Sequence, residues 1–179
     1  LEVYSPQLEV RDCVFPPVSE SEALKGSTLR GNDFLVLHRN VFNPSPNYND
    51  IIRFSGAQRP GPVLAAYDNI FNGATDECFD LNNCDAHLEG NVFMNVRLST
   101  PRNSTANAVA INYESSVTLT RNLFHNVDHA VLAKNGADCQ FENNTVVNAT
   151  IAAINLNEPL RPNTLPADSV DLESNIFLE

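Results

Sequence analysis

Acidic side chains are concentrated in one short stretch of this 179-residue chain. Residues 76–85 contain four carboxylates, which are Asp76, Glu77, Asp80 and Asp85. Calcium takes six to eight oxygen ligands, and carboxylates are among the groups that supply them. The stretch therefore predicts a Ca²⁺ site at Asp76, Glu77 and Asp80, although its spacing differs from that of an EF-hand loop. A solvated acidic loop is the alternative interpretation.

The same carboxylates have the chemistry needed to cleave a glycosidic bond. Glycoside hydrolases use two carboxyl groups, which lie about 5 Å or about 6.5–9.5 Å apart. Asp80 paired with Asp76 or Glu77 could meet either distance. Many other pairs in so acidic a chain could also meet it, so this signal does not select one pair.

A base and polar binding groups are predicted beside Asp80. If the short strands of successive repeats stack in register, Asn82, Asn112 and Lys134 fall in one row, with His129 nearby. Elimination next to a uronate carboxylate needs a metal ion and a base that removes the proton. Asp80, Lys134 and His129 are therefore catalytic candidates, and Asn112 is a candidate for substrate binding.

A second group of candidates occupies outward-facing positions on predicted coils two to four. His38, Tyr67, His87 and Glu89 fall in two adjacent rows there. They combine an acid, two bases and an aromatic ring, a mixture that can bind a sugar chain by stacking and hydrogen bonding. Glu89 is a further catalytic candidate, and His38, Tyr67 and His87 are candidates for substrate binding. An ordinary solvated sheet face is the alternative.

One phrase, apolar-x-apolar-x-x-Asn-x-Phe, recurs through the whole chain and sets these positions. It occurs seven times, with Cys in place of Asn once and Val in place of Phe once. The apolar alternation predicts a strand with one buried face, and the Asn predicts a bend. Because a repeat of about 22 residues cannot bury its own apolar face, successive repeats must stack. The marker positions are Cys13, Asn40, Asn69, Asn91, Asn122, Asn144 and Asn175.

Stacking of the repeats predicts two columns and a second strand in each coil. The marker Asn side chains should form a hydrogen-bonded ladder, as amides do in cross-β structures, and the Phe side chains should stack in the interior. Asn95, Asn126 and Asn148 predict a second ladder at the next corner. The second strands are predicted at residues 51–55, 78–82, 108–113, 130–134 and 152–156. The fold class is therefore an all-β solenoid of about seven coils.

Residues 89–95 (EGNVFMN) and 142–148 (ENNTVVN) resemble the repeats of right-handed parallel β-helix proteins, the pectate-lyase-like superfamily. The resemblance covers nearly the whole chain and implies a right-handed winding. Members of the superfamily include polysaccharide lyases, glycoside hydrolases, epimerases and non-catalytic surface modules. Its lyases often use Ca²⁺ with a Lys or Arg base, although this chain has no recognisable Arg-containing lyase signature. Fold alone does not choose among these functions.

Charge and hydropathy narrow the range of partners. The net charge of −11 argues against nucleic acid, which is bound through clusters of Lys and Arg. It also disfavours a polyanionic substrate unless a cation or a local basic patch intervenes. No apolar run approaches the roughly 18 residues needed to span a membrane, and no signal-like segment opens the sequence. We expect a single domain, residues 1–179, belonging to a longer secreted or cell-surface protein with flanking domains.

Two functions are compatible with these features. The first is an extracellular carbohydrate-associated β-helix, either a polysaccharide lyase or a glycoside hydrolase, that acts on a polymeric glycan. The second is a non-catalytic structural or glycan-binding solenoid within a larger protein. Pro-rich and Asn-rich insertions at residues 43–50, 96–107 and 157–167 could wall a binding groove.

The four cysteines do not match a zinc pattern. Cys13 and Cys139 occupy positions that predict small buried side chains. Cys78 and Cys84 could form a disulfide in an oxidising compartment.

Overall fold

The computed structural model describes residues 1–4, 7–61, 63–99, 105–158 and 163–179. Throughout these ranges the regular elements are β-strands, which form three parallel sheets of seven strands each. The sheets wind into a solenoid of about six turns. The prediction of an all-β parallel solenoid is confirmed, and right-handed winding stays a prediction. Within the described ranges, nothing resembles a helix of the length and apolarity that a bilayer crossing requires.

The first sheet contains the second strands of the repeat, and it forms the face that carries the candidate site. Its bounds agree with the five predicted second strands to within a few residues. Its strands are β1 (Glu2–Tyr4), β4 (Leu24–Ser27), β7 (Ile52–Ala57), β10 (Glu77–Cys84), β13 (Asn107–Asn112), β16 (His129–Ala133) and β19 (Ile154–Asn155).

The second sheet contains the apolar-x-apolar strands that precede each marker position. Its strands are β2 (Gln7–Arg11), β5 (Phe34–His38), β8 (Leu64–Tyr67), β11 (Ala86–Glu89), β14 (Ser116–Thr120), β17 (Asp138–Glu142) and β20 (Ser169–Glu173). The third sheet contains the Phe positions. Its strands are β3 (Val14–Phe15), β6 (Val41–Phe42), β9 (Ile70–Phe71), β12 (Val92–Val96), β15 (Leu123–Val127), β18 (Thr145–Ala149) and β21 (Ile176–Leu178).

The predicted Asn ladder is present at the corner between the second and third sheets. The Nδ2 of Asn91 donates to Oδ1 of Asn122 at 3.1 Å, and the Nδ2 of Asn122 donates to Oδ1 of Asn144 at 3.0 Å. Each Oδ1 also accepts the backbone N–H of the preceding marker, as in the 2.9 Å bond from Asn91 N to Asn122 Oδ1. These bonds satisfy buried amides that would otherwise destabilise the fold. The ladder therefore fixes the register of the coils.

The predicted second ladder is also present, on the outside of the next corner. The Nδ2 of Asn126 donates to Oδ1 of Asn95 at 2.7 Å, and the Nδ2 of Asn148 donates to Oδ1 of Asn126 at 3.1 Å. All three residues have a positive φ, between 56° and 61°. Asn tolerates this conformation better than most residues do, which accounts for its recurrence at the corner.

The phenylalanine column forms as predicted over most of its length. Neighbouring rings from Phe42 to Phe124 stack with centroids 4.8–4.9 Å apart. Val146 replaces the Phe of the sixth repeat, and the column there passes through Phe141, whose ring centroid is 5.6 Å from that of Phe124. A residue of a neighbouring sheet thus fills the space that the shorter Val leaves.

Two predictions about the cysteines are wrong. Cys13 is exposed, because no described coil lies before it to cover the side chain. Cys78 and Cys84 are free and buried, and both lie on β10. Six residues of extended strand separate their Cα atoms by about 20 Å, whereas a disulfide needs roughly 4.4–6.8 Å. Cys139 is buried as predicted.

Candidate functional site

A groove follows the outer face of the first sheet. It consists of three adjoining cavities of about 540, 300 and 270 Å³, and Tyr113 lines all three. One outward-facing position of each strand lines the groove in turn, and these residues are Ser27, Ser55, Asn82, Asn112 and Lys134. The groove thus runs along the coil axis, across five strands that are spaced about 4.8 Å apart.

The alternation of strand β10 decides which side chains face the groove. Phe79 and Leu81 point into the core and are fully buried, whereas Asp80 and Asn82 point outward. Asn82 lies opposite Asn112 in the parallel register, and Lys134 directly follows β16. The row predicted from the sequence is therefore present.

Four carboxylates line the middle cavity, which we call the acidic cavity: Asp50, Asp76, Glu77 and Asp80. Asp50 lies just before β7, and Asp76 lies just before β10, so the turns that enter the first sheet bring them together. One oxygen from each of Asp50, Asp76 and Glu77 lies within 4.8 Å of the other two. The sequence-predicted trio was Asp76, Glu77 and Asp80, so Asp50 takes the place of Asp80 in the closest group.

Asp50 is the member of the cluster that sequence reasoning missed. It lies 26 residues before Asp76 in the chain, too far for a local motif to include it. Its position could have been found from the repeat, because residue 50 precedes the predicted strand 51–55 as Asp76 and Glu77 precede the predicted strand 78–82. Stacking of the coils places such corners beside one another.

Burial gives the carboxyl groups of the acidic cavity unusual proton affinities. Burial, with the charges of Asp80 and Asp76, raises the pKa of Asp50 to about 7, against the opposing effects of a hydrogen bond to Glu77 and the charge of Arg53. Burial likewise raises the pKa of Glu77 well above its ordinary value, and the neighbouring Asp76 and Asp50 add to the effect. The cluster is therefore suited to hold protons near neutral pH or to bind a cation.

The geometry of this cluster fits a hard divalent cation. Asp50 is only 8% exposed, and its Oδ1 is buried without a hydrogen-bond partner among the described residues. Clustered carboxylate oxygens of this kind are the ligands that Ca²⁺ prefers. Asp50, Asp76 and Glu77 would hold the ion, with Asp80 in the same cavity but paired with Arg53, whose Nε is 3.3 Å from Asp80 Oδ2.

Lys134 lies at the far end of the acidic cavity but is already engaged. Its Nζ donates to the Oε2 of Glu158, and the two residues are 8% and 2% exposed. Glu158 belongs to the insertion at 157–167, of which residues 159–162 lie outside the described residues. The ammonium is held by a buried carboxylate, so it is poorly placed to accept a proton from a substrate.

Asn112 has a structural role in the groove in addition to lining it. Its Nδ2 donates to Oδ1 of Asn82 at 3.0 Å. Its Oδ1 accepts from Nδ2 of Asn135 at 2.7 Å and from the backbone N–H of Tyr113 at 3.1 Å. The amide that was predicted to bind substrate therefore holds the backbone of the adjoining corner.

His129 lies away from the groove face. It pairs in register with Asn107 at the start of β16 and is 1% exposed. Burial lowers the pKa of this imidazole, a shift that the Ala106 backbone and the Asp128 charge oppose. A neutral, enclosed ring in this position can support the core, but it is separated from solvent in the groove.

The remaining candidates form a separate surface on the second sheet, which we call the histidine face: His38, Tyr67, His87 and Glu89. The Nε2 of His87 lies 2.8 Å from Oε2 of Glu89, and Glu89 also pairs with Arg121. The rings of Tyr67 and His87 lie 5.7 Å apart. The four residues are brought together as predicted, but Glu89 is on a different sheet from Asp80 and Lys134.

The insertions border the groove in part. Residues 43–50 end at Asp50, and residues 157–167 supply Glu158. The insertion at 96–107 leads into β13, and its residues 100–104 lie outside the described part of the chain. Comparisons with protein-family models, with curated proteins and with solved structures gave no match.

Proposed function

We propose that this chain is a glycoside hydrolase that cleaves a neutral polymeric glycan in the groove. One observation carries the proposal: carboxyl groups within a single cavity lie in contrasting environments. Burial raises the pKa of Asp50 to about 7, whereas Asp80 forms an ion pair with Arg53. Two carboxyl groups whose environments favour different protonation states are the basis of acid–base catalysis at a glycosidic bond.

The roles follow from those environments. When no cation is bound, the hydrogen-bonded pair of Asp50 and Glu77 holds a proton near neutral pH and donates it to the oxygen of the leaving sugar. Asp80 is the ionised partner, which activates water or stabilises the positive charge that develops on the sugar ring. The ion pair with Arg53, whose Nε lies 3.3 Å from Asp80 Oδ2, favours the charged form of Asp80.

The charge of the lining favours a neutral substrate. Four carboxylates line the acidic cavity, against two cations, Arg53 and Lys134. Both cations already face carboxylates, Asp80 and Glu158. A polyuronate would therefore bring further negative charge next to an acidic wall. The net charge of −11 opposes its approach as well.

Elimination by a lyase mechanism is less well supported than hydrolysis. Lys134, the candidate base, is buried and paired with Glu158. If Ca²⁺ is bound by Asp50, Asp76 and Glu77, it would supply positive charge that can bind and polarise oxygen groups of a substrate. Arg53 and Lys134, the Arg and Lys side chains that line the acidic cavity, both face carboxylates, so its carboxyl groups are left as the acid–base residues.

A glycan-binding solenoid without catalysis is the second candidate. It is supported by the same ion pairs, because Arg53–Asp80 and Lys134–Glu158 engage both cations of the acidic cavity and one of its four carboxylates. A binding module of a secreted or cell-surface protein needs a shaped polar groove and no free catalytic base.

Release of reducing ends from soluble glucan, xylan, mannan and galactan separates the two functions. Asp80→Asn should lower the rate by about 10²–10⁴-fold, the usual contribution of a general acid or base. Glu142→Gln is the matched control, since it removes a carboxylate on the outer face of the second sheet, and it should retain the wild-type rate. Binding of a glycan without any release of reducing ends would leave the binding module, and failure of both would overturn both functions.

A further inference from the structure

Tyr113 is the exposed aromatic side chain at the centre of the groove. It is 51% exposed, and it lines the acidic cavity as well as the cavities on both sides. It comes directly after β13, at the point where the chain leaves the first sheet. Any elongated ligand that occupies two of the three cavities must therefore pass over this side chain.

The backbone of Tyr113 adopts a conformation that suits other residues better. Its φ is +51°, and the counterparts at the same corner of the other coils are Thr28, Gly56, Asn83 and Asn135, with φ of +65°, +78°, +47° and +53°. Gly and Asn adopt this left-handed region readily, whereas a bulky aromatic residue does so rarely. Positive φ recurs at corners along the described chain, for example at Arg39, Asp68 and Arg121, so Tyr113 differs from its counterparts in the aromatic side chain that it places at this corner.

Hydrogen bonds hold Tyr113 in this position. Its backbone N–H donates to Oδ1 of Asn112, which also accepts from Asn135 and is itself linked to Asn82. This chain of amides joins three successive coils at the corner that carries Tyr113. The backbone of the corner is thus fixed, and a backbone that is already ordered loses little entropy when a ligand binds.

We infer that Tyr113 is a stacking platform for a pyranose ring and sets the subsite next to the acidic cavity, an inference that rests on the proposed carbohydrate function. The C–H face of a sugar is apolar and packs on an aromatic ring, while its hydroxyl groups bond to polar side chains around it. Asn82 and Asp80 lie in the same cavity to receive those hydroxyl groups. A ring stacked on Tyr113 presents its glycosidic bond to the carboxylates.

Titration calorimetry on the full chain tests this assignment without requiring cleavage. The ligands are neutral hexasaccharides of glucose, xylose, mannose and galactose. The Asp80→Asn background slows turnover and keeps an amide that can still bond to sugar hydroxyl groups. Tyr113→Asn places at the corner the residue that the neighbouring coils use, so it should fold with an unchanged or higher melting temperature. We expect it to weaken binding about tenfold or more, equivalent to about 1.4 kcal/mol, whereas Tyr113→Phe should stay within about twofold.

The outcomes distinguish the platform from the function on which it rests. Equal affinity for a hexasaccharide in Asp80→Asn and in the double variant with Tyr113→Asn would overturn the platform and leave the proposed function standing. Loss of affinity in Tyr67→Asn, on the histidine face, with none in Tyr113→Asn, would also overturn it. If neither the Asp80→Asn protein nor the wild-type chain binds any of the hexasaccharides, the platform and the proposed function fail together.

Discussion

The groove and the histidine face are built from the same repeat but offer different environments. Both present outward-facing side chains of parallel strands in register, and both contain carboxylates beside cations. In the groove, the turn residue Asp50 and the inserted residue Glu158 add buried carboxyl groups beside the outer face of the first sheet. On the histidine face, Glu89 is paired with His87 and Arg121 in a partly exposed position. Corners and insertions, more than strands, therefore supply the unusual chemistry.

The protonation of one carboxyl group on each surface makes the difference explicit. Burial raises the pKa of Asp50 to about 7. The hydrogen bond from His87 lowers the pKa of Glu89, and the charges of Arg121 and His87 contribute, while desolvation opposes the shift. The histidine face thus stabilises the ionised form of Glu89, whereas burial in the groove destabilises the ionised form of Asp50. A pKa that is shifted in this way is expected where a protein binds a ligand or transfers a proton.

The largest difference in stability between the two surfaces should come from removing one cationic side chain from each. Lys134→Met removes the ammonium that faces Glu158, a carboxylate that is 2% exposed. Loss of one partner of a buried pair lowers the free energy of unfolding by about 3–5 kcal/mol. Arg121→Met removes an exposed partner of Glu89 and should lower it by less than about 1 kcal/mol. Urea unfolding of the two variants at pH 7 measures both values.

Equal losses of the free energy of unfolding in these two variants would contradict the predicted difference between the surfaces. A loss below about 1 kcal/mol for Lys134→Met would mean that Glu158 is solvated or protonated there. Lys134→Arg is the control for charge, and it should recover part of the lost free energy because the guanidinium can still reach the carboxylate.

The dependence of stability on pH should have opposite signs on the two surfaces. Asp50 has an ordinary pKa of 3.8 and a folded pKa of about 7. Between these values the folded chain holds a proton that the unfolded chain has lost, so the free energy of unfolding falls as pH rises from about 4 to about 7. The full loss for Asp50 is roughly 4 kcal/mol. Glu89, with its lowered pKa, instead adds stability that is lost as pH falls toward the acid range.

Urea unfolding at pH 5, 6, 7 and 8 checks these signs. Asp50→Asn should flatten the decline in stability and make the chain more stable than the wild type at pH 8. Glu89→Gln should leave the decline between pH 5 and 8 unchanged. A wild-type free energy of unfolding that rises over this interval would show that the acidic cavity does not retain a proton.

The sequence predicts the framework of this protein well because the framework is periodic. Each Asn or Phe at a marker position repeats the same contact with the next coil, as in the bonds of Asn91 and Asn122. The row of Asn82, Asn112 and Lys134 could be predicted for the same reason, since register follows from the repeat. Periodicity converts a local pattern into a three-dimensional contact.

The candidate site was predicted only in part because it consists of departures from that periodicity. Asp50 joins Asp76 across two coils at a turn whose path the pattern does not specify. Pairing of Lys134 with Glu158 depends on the course of an insertion. Tyr113 stands out only when the register of the coils is known, because the sequence alone does not show that its counterparts are Thr, Gly and Asn. These positions depend on loop geometry, which sequence periodicity does not encode.

The smallest predicted effect is stabilisation of the acidic cavity by Ca²⁺. The ion would relieve the repulsion among Asp50, Asp76 and Glu77, so Ca²⁺ at ten times its Kd should raise the free energy of unfolding by about 1.4 kcal/mol. For a chain of this size, that corresponds to an increase in melting temperature of roughly 3–6 °C. The increase should be larger at pH 8 than at pH 5, because protons compete with the ion for the same oxygens. Asp50→Asn should abolish it, whereas Glu89→Gln, on the histidine face, should retain it. If Ca²⁺ raised the melting temperature equally in the wild type and in Asp50→Asn, the ion would bind outside the acidic cavity. Protons would then be what neutralises the carboxylates of the acidic cavity.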